Sequence, residues 1–186
     1  MRASRSPGRT RPLLPRSLVL LTALALALAL VPGGGRPAEA KPAGFKALFR
    51  GTFAITMSGD GKSQLHFEGQ GTPPRLGASA IVGDSSLTPN KTNPACSMIE
   101  TDRVSLTVAG GDEIHFVHQG EDCVDTSHPP EVTIRSKGTY RIVGGTGRFA
   151  RATGQGRVTV LAKVLEPGPT GSRGSFELTW DGTLKP

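Results

Sequence analysis

Apolar and polar residues alternate along most of the chain after residue 40, which is the pattern of β-strands with one buried face. In the segment 45–57, FKALFRGTFAITM, the residues Phe45, Phe49 and Phe53 fall on one face, and polar side chains occupy much of the other. Turns rich in Gly, Pro, Asn and Asp separate the segments that show this pattern. The alternation therefore predicts eight strands, at 45–57, 63–69, 75–83, 98–110, 111–120, 131–144, 156–166 and 175–184.

The connections between these segments favour an antiparallel, all-β fold. No helical segment of the length needed to join parallel strands lies between them. A β-sandwich and an up-and-down β-barrel both remain possible, and the barrel leaves no unpaired strand edge. The stretch 84–97, rich in Ser, Thr, Pro and Asn, is predicted to be an exposed loop. We expect one domain over 41–186, with its core at about 45–184.

The first 40 residues have the layout of a secretory signal peptide. Scattered arginines precede an apolar run at 18–31, and the A-x-A sequence that ends at Ala40 supplies a cleavage signal. The alternative is an uncleaved membrane anchor, but the run has only 14 residues, and a membrane-spanning helix needs roughly 20. We therefore expect cleavage after Ala40, secretion, and no stable membrane insertion of the mature chain.

Cleavage also changes the charge of the protein. The full chain has a net charge of +7, with 22 basic and 15 acidic residues. The leader holds six arginines and one acid, so residues 41–186 carry 16 bases and 14 acids, a net charge of +2. These bases are scattered along the chain and form no cluster of the kind that binds nucleic acid. A nucleic-acid partner is therefore not expected.

The two cysteines, Cys96 and Cys123, both lie in the mature chain. An even pair in an exported protein predicts one disulfide. A two-cysteine metal site and a redox pair are the alternatives, but the spacing is not C-x-x-C and no cluster of further ligands lies nearby in the sequence.

His115 and His118 could suggest a metal site, but residues three apart on a strand point to opposite faces. The sequence places no third ligand beside them. We therefore expect solvated or hydrogen-bonded histidines and no metal.

The segment GGTGRFARATG, 144–154, contains the G-x-G-x-x-A pattern of a dinucleotide-binding turn. That turn works only where a helix follows and faces the pyrophosphate. Here Gly154 and Gly156 follow within a few residues, and a strand-like run begins at once. We interpret the segment as a structural turn and expect no cofactor.

The same segment carries a resemblance to a known group of β-barrels. GGTGRFARATGQG, preceded by GTYRIVGG and followed by alternating strands to GSFELTWDGTL, resembles the GGTG-x-F signature of the allene oxide cyclase-like and dirigent-like proteins. FRGTFAIT and TPPRLGASAIVG are similar to the first and third strands of that group. The resemblance covers about 45–184 and departs from the usual pattern at Arg151, where the group has a glycine.

This resemblance implies an eight-stranded antiparallel up-and-down barrel of the calycin type. It also implies that Gly144, Gly145 and Gly147 form a tight left-handed bend and that Phe149 plugs one end of the barrel. Allene oxide cyclases cyclise a fatty-acid epoxide in an apolar lumen, and dirigent proteins hold phenoxy radicals for stereoselective coupling. None of their catalytic residues can be matched here by motif, so the catalytic residues stay unknown.

Two acidic residues are candidates for a ligand site. Strict alternation extends the face of Val104 to Asp102 and Glu100 and would place two carboxylates near the barrel mouth, where one could act as an acid or base. The alternative is that the strand bulges or begins near Arg103, so that both acids lie on a loop.

Three aromatic residues complete the candidate ligand-binding set. Tyr140 and Trp180 are the only tyrosine and tryptophan, and each lies on the apolar face of its strand, as does Phe53. They could line a lumen and contact a ligand, or they could simply be core residues.

These observations leave three hypotheses for function. The protein is a secreted binder of a small apolar or amphipathic molecule, a cofactor-free isomerase or lyase, or an interaction module that uses its loops. An open lumen with polar groups favours the first two. A lumen filled by aromatic side chains favours the third, and the relevant residues are Phe45, Phe49, Phe53, Phe67, Tyr140 and Trp180.

Overall fold

The computed structural model describes residues 41–186, so the predicted signal peptide and its cleavage site lie outside the described residues. The described chain forms eight β-strands: β1 (Ala43–Met57), β2 (Ser63–Gly71), β3 (Ser79–Pro89), β4 (Cys96–Val108), β5 (Glu113–His128), β6 (Glu131–Gly145), β7 (Gly154–Gly168) and β8 (Gly171–Leu184). A single 3₁₀ turn, Gly147–Phe149, lies between β6 and β7. Within this part of the chain no helix is long and apolar enough to cross a membrane.

The strands form one closed antiparallel barrel in chain order. Each strand pairs with its neighbours in the sequence, and β8 returns to pair with β1, where Phe49 lies opposite Leu178. The prediction of an antiparallel up-and-down barrel is confirmed, and the sandwich alternative is wrong. Closure satisfies the strand edges that a sandwich would leave open.

Two strands, β3 and β5, end well after their predicted ends, and both also begin later than predicted. β3 begins at Ser79 rather than at 75 and continues to Pro89, and β5 continues to His128 rather than ending at 120. The predicted loop at 84–97 is therefore reduced to 90–95 between β3 and β4. The added segments are rich in polar residues, which hides the alternation that buries Leu87.

Aromatic side chains fill one half of the barrel interior. The Trp180 ring is completely buried and stacks on Phe116, with ring centroids 4.2 Å apart. Phe49 meets Trp180 edge-on at 5.3 Å, and Phe45 contacts both Trp180 and Tyr140. We call these five residues the aromatic plug. Such pairs add to the free energy gained by burying the rings.

The GGTG segment closes the same half of the barrel. Gly144 and Gly147 have φ angles of 124° and 52°, which L-residues rarely adopt. A Cβ atom at Gly145 would collide with the backbone oxygen of Glu113. The chain then enters the short 3₁₀ turn, whose Phe149 is buried in the core, and continues into β7. The segment is thus a bend between two strands with no helix of dinucleotide-binding length after it.

Candidate functional site

The half of the interior opposite the aromatic plug contains a cavity. Its walls are mostly apolar and come from strands all around the barrel, with Phe53, Phe67, Phe176, Val160 and Ala162 among the lining residues. The volume of the cavity that is open to the centres of water molecules is about 70 Å³. A single buried water needs roughly 10–15 Å³ by this measure. The cavity therefore has room for a small molecule.

One wall of this cavity is polar and is built around Asp102 of β4. The Asp102 carboxylate is buried and accepts a hydrogen bond from the Ser85 hydroxyl at 2.8 Å. Its other oxygen accepts a hydrogen bond from the backbone N–H of His118 at 3.0 Å. The His118 ring nitrogen Nδ1 lies 3.3 Å from the first oxygen. Neutral protein donors thus satisfy this buried carboxylate.

The His118 ring is held between Asp102 and the aromatic plug. The indole N–H of Trp180 donates to Nε2 of His118 at 3.1 Å. Since an indole nitrogen can only donate, Nε2 must be unprotonated, and the ring proton lies on Nδ1, where it faces Asp102. This chain of contacts fixes the His118 ring as neutral and connects the cavity floor to Trp180.

A second carboxylate, that of Asp122 on β5, faces the same cavity. Burial raises the pKa of the Asp122 carboxyl above its usual value. A hydrogen bond from Ser136 opposes this rise, and the nearby Asp102 charge adds to it. Asp122 is half-buried and lies closer to the barrel mouth than His118. It lies opposite Ser136 of β6, which also lines the cavity.

The ladder between β4 and β5 is interrupted beside this polar wall. Met98 pairs with Glu121 and Val104 pairs with Phe116, and the residues between them are not in register. Within the gap, the Asp102 side chain takes the place of a backbone acceptor for the His118 N–H. We call this gap the β4–β5 seam.

The prediction for Glu100 needs correction. Asp102 lies inside the barrel, but Glu100 is exposed and its carboxylate lies 3.7 Å from the Lys62 ammonium. Thr101 pairs with Ser86 and Ile99 pairs with Leu87, so Glu100 is the extra residue of a β-bulge. The bulge breaks the strict alternation on which the prediction relied. The two carboxylates at the cavity are Asp102 and Asp122.

The three predicted aromatic residues are placed differently from one another. Phe53 lines the cavity. Trp180 lies beneath it and reaches it only through the hydrogen bond to His118. Tyr140 belongs to the aromatic plug and does not line the cavity, and burial raises its pKa to about 12. Tyr140 and Trp180 are therefore core residues, and neither lines the cavity.

Four polar residues of the wall were missing from the sequence prediction: Ser85, His118, Asp122 and Ser136. The signal for two of them was available. His118 and Asp122 have the same parity on β5 as the buried Ile114 and Phe116, which places them on the inner face. His115 has the opposite parity and contacts Glu113 outside, so the two histidines point to opposite faces as predicted.

The predicted disulfide is confirmed. Cys96 and Cys123 are bonded to each other and join the start of β4 to β5. Glu121 lies close enough to complete a three-residue metal cluster with them. Because both sulfur atoms are used in the disulfide, they offer no thiolates for such a site.

No protein-family model and no curated protein matches the chain. A solved structure of a pterocarpan synthase dirigent protein is similar, with a TM-score of 0.40 and 14% sequence identity, over 87% of this chain and 99% of that chain.

Proposed function

We propose that this protein is a secreted binder of a small amphipathic molecule, which it holds inside the open half of the barrel. The observation that carries the proposal is the cavity itself, which combines apolar walls with a cluster of polar side chains on one side. Ligand sites of proteins typically have this composition, because apolar surface supplies affinity and a few polar groups fix orientation.

The filling of the barrel supports binding over the loop-based interaction module. Phe45, Phe49, Tyr140 and Trp180 pack together in the plug. Phe53 and Phe67 instead line the cavity. The lumen is thus half filled, and the open half is the one with hydrogen-bonding side chains. The disulfide is compatible with an extracellular location, which supports the proposed secretion.

Membership in the allene oxide cyclase-like and dirigent-like group is part of this proposal. It is supported by the GGTG-x-F segment and by the eight-stranded closed barrel in chain order. A shared barrel does not specify a ligand. The ligand class must therefore be argued from the cavity.

The proposal is tested by filling the cavity. Ala162 is buried and lines it, so Ala162→Leu extends a side chain into the open space. Thr159→Leu on the same strand provides the control, because Thr159 is exposed on the outer face. Binding of 1-hexanol is followed through the emission of Trp180, the only tryptophan of the chain, and by titration calorimetry.

We expect 1-hexanol to bind the wild type and Thr159→Leu equally and Ala162→Leu at least ~10-fold more weakly, a difference of about 1.4 kcal/mol. Melting temperatures show whether Ala162→Leu is folded, since overpacking costs about 1–3 kcal/mol where space is lacking. If that variant unfolds, Val160→Leu makes a smaller change at the same cavity. Equal binding by a folded cavity variant and the control would contradict the proposal.

A second candidate function, a cofactor-free isomerase or lyase, is favoured by one observation. Asp122 has a raised pKa and faces an apolar cavity, which suits a carboxyl that gives or takes a proton. The test is to incubate the protein with candidate epoxide or phenolic substrates and compare wild type with Asp122→Asn. Turnover that disappears in Asp122→Asn while ligand binding persists would support an enzyme, and binding without turnover of any substrate tried would favour the binder.

A further inference from the structure

The charges around the cavity limit which molecules it accepts. Two carboxylates, Asp102 and Asp122, face it. Among the described residues at the cavity, Lys137 is the only lysine or arginine. Its side chain is exposed on the outer face of the barrel, opposite Glu121. His118 is neutral because its Nε2 accepts the Trp180 N–H. The side chains that face the cavity thus include two carboxyl groups and no lysine or arginine side chain.

The Asp102 charge has no cationic partner of its own. Among residues 41–186 the group within ion-pair distance of its carboxylate is His118, whose ring is neutral. Its hydrogen bonds come from the Ser85 hydroxyl and from His118. Hydrogen bonds from neutral donors satisfy a buried carboxylate but do not cancel its charge, so the field of Asp102 extends into the apolar space beside it.

We propose that the cavity selects an amphipathic amine, whose ammonium group binds beside Asp122 and Asp102 and whose apolar part lies between the aromatic and aliphatic walls. This rests on the proposed binding function and names its ligand class. An ammonium group supplies the missing countercharge and three donors, and charge-assisted hydrogen bonds are among the stronger ones. Carboxylates, phosphates and sulfates are repelled by the same two acids.

The arrangement of the cavity suits this orientation. On the inner face of β5 the order from the mouth inward is Val124, Asp122, Gly120 and His118, a distance of about 20 Å along the strand. Two apolar side chains therefore lie on the mouth side of the polar wall: Val124, which is exposed, and its neighbour Ile134, which lines the cavity. Phe53, Phe67 and Phe176 lie among the lining residues, and aromatic faces attract ammonium groups as well as hydrocarbon.

The experiment compares three probes with the same six-carbon tail: 1-hexylamine, 1-hexanol and hexanoate. Binding to the full mature chain is measured at neutral pH by calorimetry and Trp180 emission. We expect the amine to bind at least ~10-fold more tightly than the alcohol, because a hydrogen bond to a charged group is the stronger interaction. Hexanoate should bind more weakly than the alcohol.

Variants then locate the interaction. Asp122→Asn should weaken amine binding by about 10-fold and change alcohol binding by less than about twofold, because it removes charge and keeps the shape. Asp125→Asn is the matched control. It removes one acid three residues further along β5, where Asp125 contacts Ser127 and Arg135 instead of the cavity. This control should leave the amine affinity unchanged.

The outcomes separate the two proposals. If 1-hexanol binds as tightly as 1-hexylamine, or if hexanoate binds best, the amine inference is overturned and the binding function stands. If none of the three probes binds a folded protein, both proposals fail together. If Asp122→Asn and Asp125→Asn weaken the amine equally, the attraction comes from overall charge, and the assignment to this cavity is wrong.

Discussion

The GGTG bend allows a quantitative test in which one methyl group is added at each of three glycines. Gly145→Ala places a Cβ against the backbone oxygen of Glu113, which cannot move without disturbing the strand pairing. Gly147→Ala keeps a φ of 52° and meets the Asp112 side chain, which can rotate away. Gly59→Ala, in the turn between β1 and β2, has no heavy atom within 4 Å and no positive φ. Gly145→Ala thus tests a collision with the backbone, Gly147→Ala tests a strained backbone conformation, and Gly59→Ala is the neutral reference.

The expected costs follow from these contacts. Moving Glu113 away from Gly145 breaks two hydrogen bonds. The Thr146 N–H donates to the Glu113 backbone oxygen at 2.9 Å, and the Glu113 N–H donates to the Thr146 hydroxyl at 2.8 Å. At about 1 kcal/mol for each bond, Gly145→Ala should lower the free energy of unfolding by about 2 kcal/mol or more. Gly147→Ala should cost about 1–2 kcal/mol for the left-handed conformation. Gly59→Ala should lie within about 0.5 kcal/mol of wild type.

Urea unfolding, followed by Trp180 emission and by circular dichroism, gives all three values from the shift in midpoint at constant slope. Gly145→Ala is expected to lose most, then Gly147→Ala, then Gly59→Ala. If Gly145→Ala unfolds at the same midpoint as Gly59→Ala, the bend tolerates a side chain and the structural interpretation of GGTG is refuted.

Three further predictions concern other parts of the chain. Because Cys96 and Cys123 are bonded, intact-mass measurement without reductant should give a mass two hydrogens lower than that of the reduced chain, and free thiols in the freshly purified protein would contradict this. Reduction should lower the melting temperature of a barrel that stays folded, because the disulfide contributes roughly 3 kcal/mol to its stability. Ala40→Arg should block processing of the leader, and N-terminal sequencing that still finds Lys41 first would refute the cleavage site. The raised pKa of Asp122 means that its ionisation opposes folding, so the stability of the wild type should fall as the pH rises above about 3.8. The melting temperature of Asp122→Asn should therefore match that of the wild type near pH 3 and exceed it at pH 7. An equal difference in melting temperature at both pH values would argue against a buried carboxyl.

The fold could be predicted from the sequence because alternation and turn residues agree along most of the chain. Where prediction erred, polar residues occupied strand positions. The segment 84–89 contains Asp and Ser residues that face outward or bond inside the barrel, as Ser85 does with Asp102. Hydrophobicity cannot distinguish such a strand end from a loop, because the partners that satisfy its polar groups come from other strands.

The site could be predicted only in part, for a related reason. Alternation correctly placed Asp102 inside, but the bulge at Glu100 depends on pairing with β3 and leaves no mark in a single sequence. The second carboxylate, Asp122, sits in the polar run EDCVDTSH, where the inner and outer faces look alike by composition. Recognising it requires extending the parity of Phe116 and His118 into that run.

The β4–β5 seam gives the barrel a preferred place to open. The other ladders show only short shifts of register, whereas between Met98 and Val104 closure depends on Asp102 within the gap and on the Cys96–Cys123 bond at its outer end. The amides around the seam should therefore exchange with deuterium sooner than those of the β1–β8 ladder, which is continuous from Ala43 to Thr56. Local opening there would widen the cavity next to its polar wall without unfolding the barrel, so a closed barrel retains one side through which a small molecule could pass.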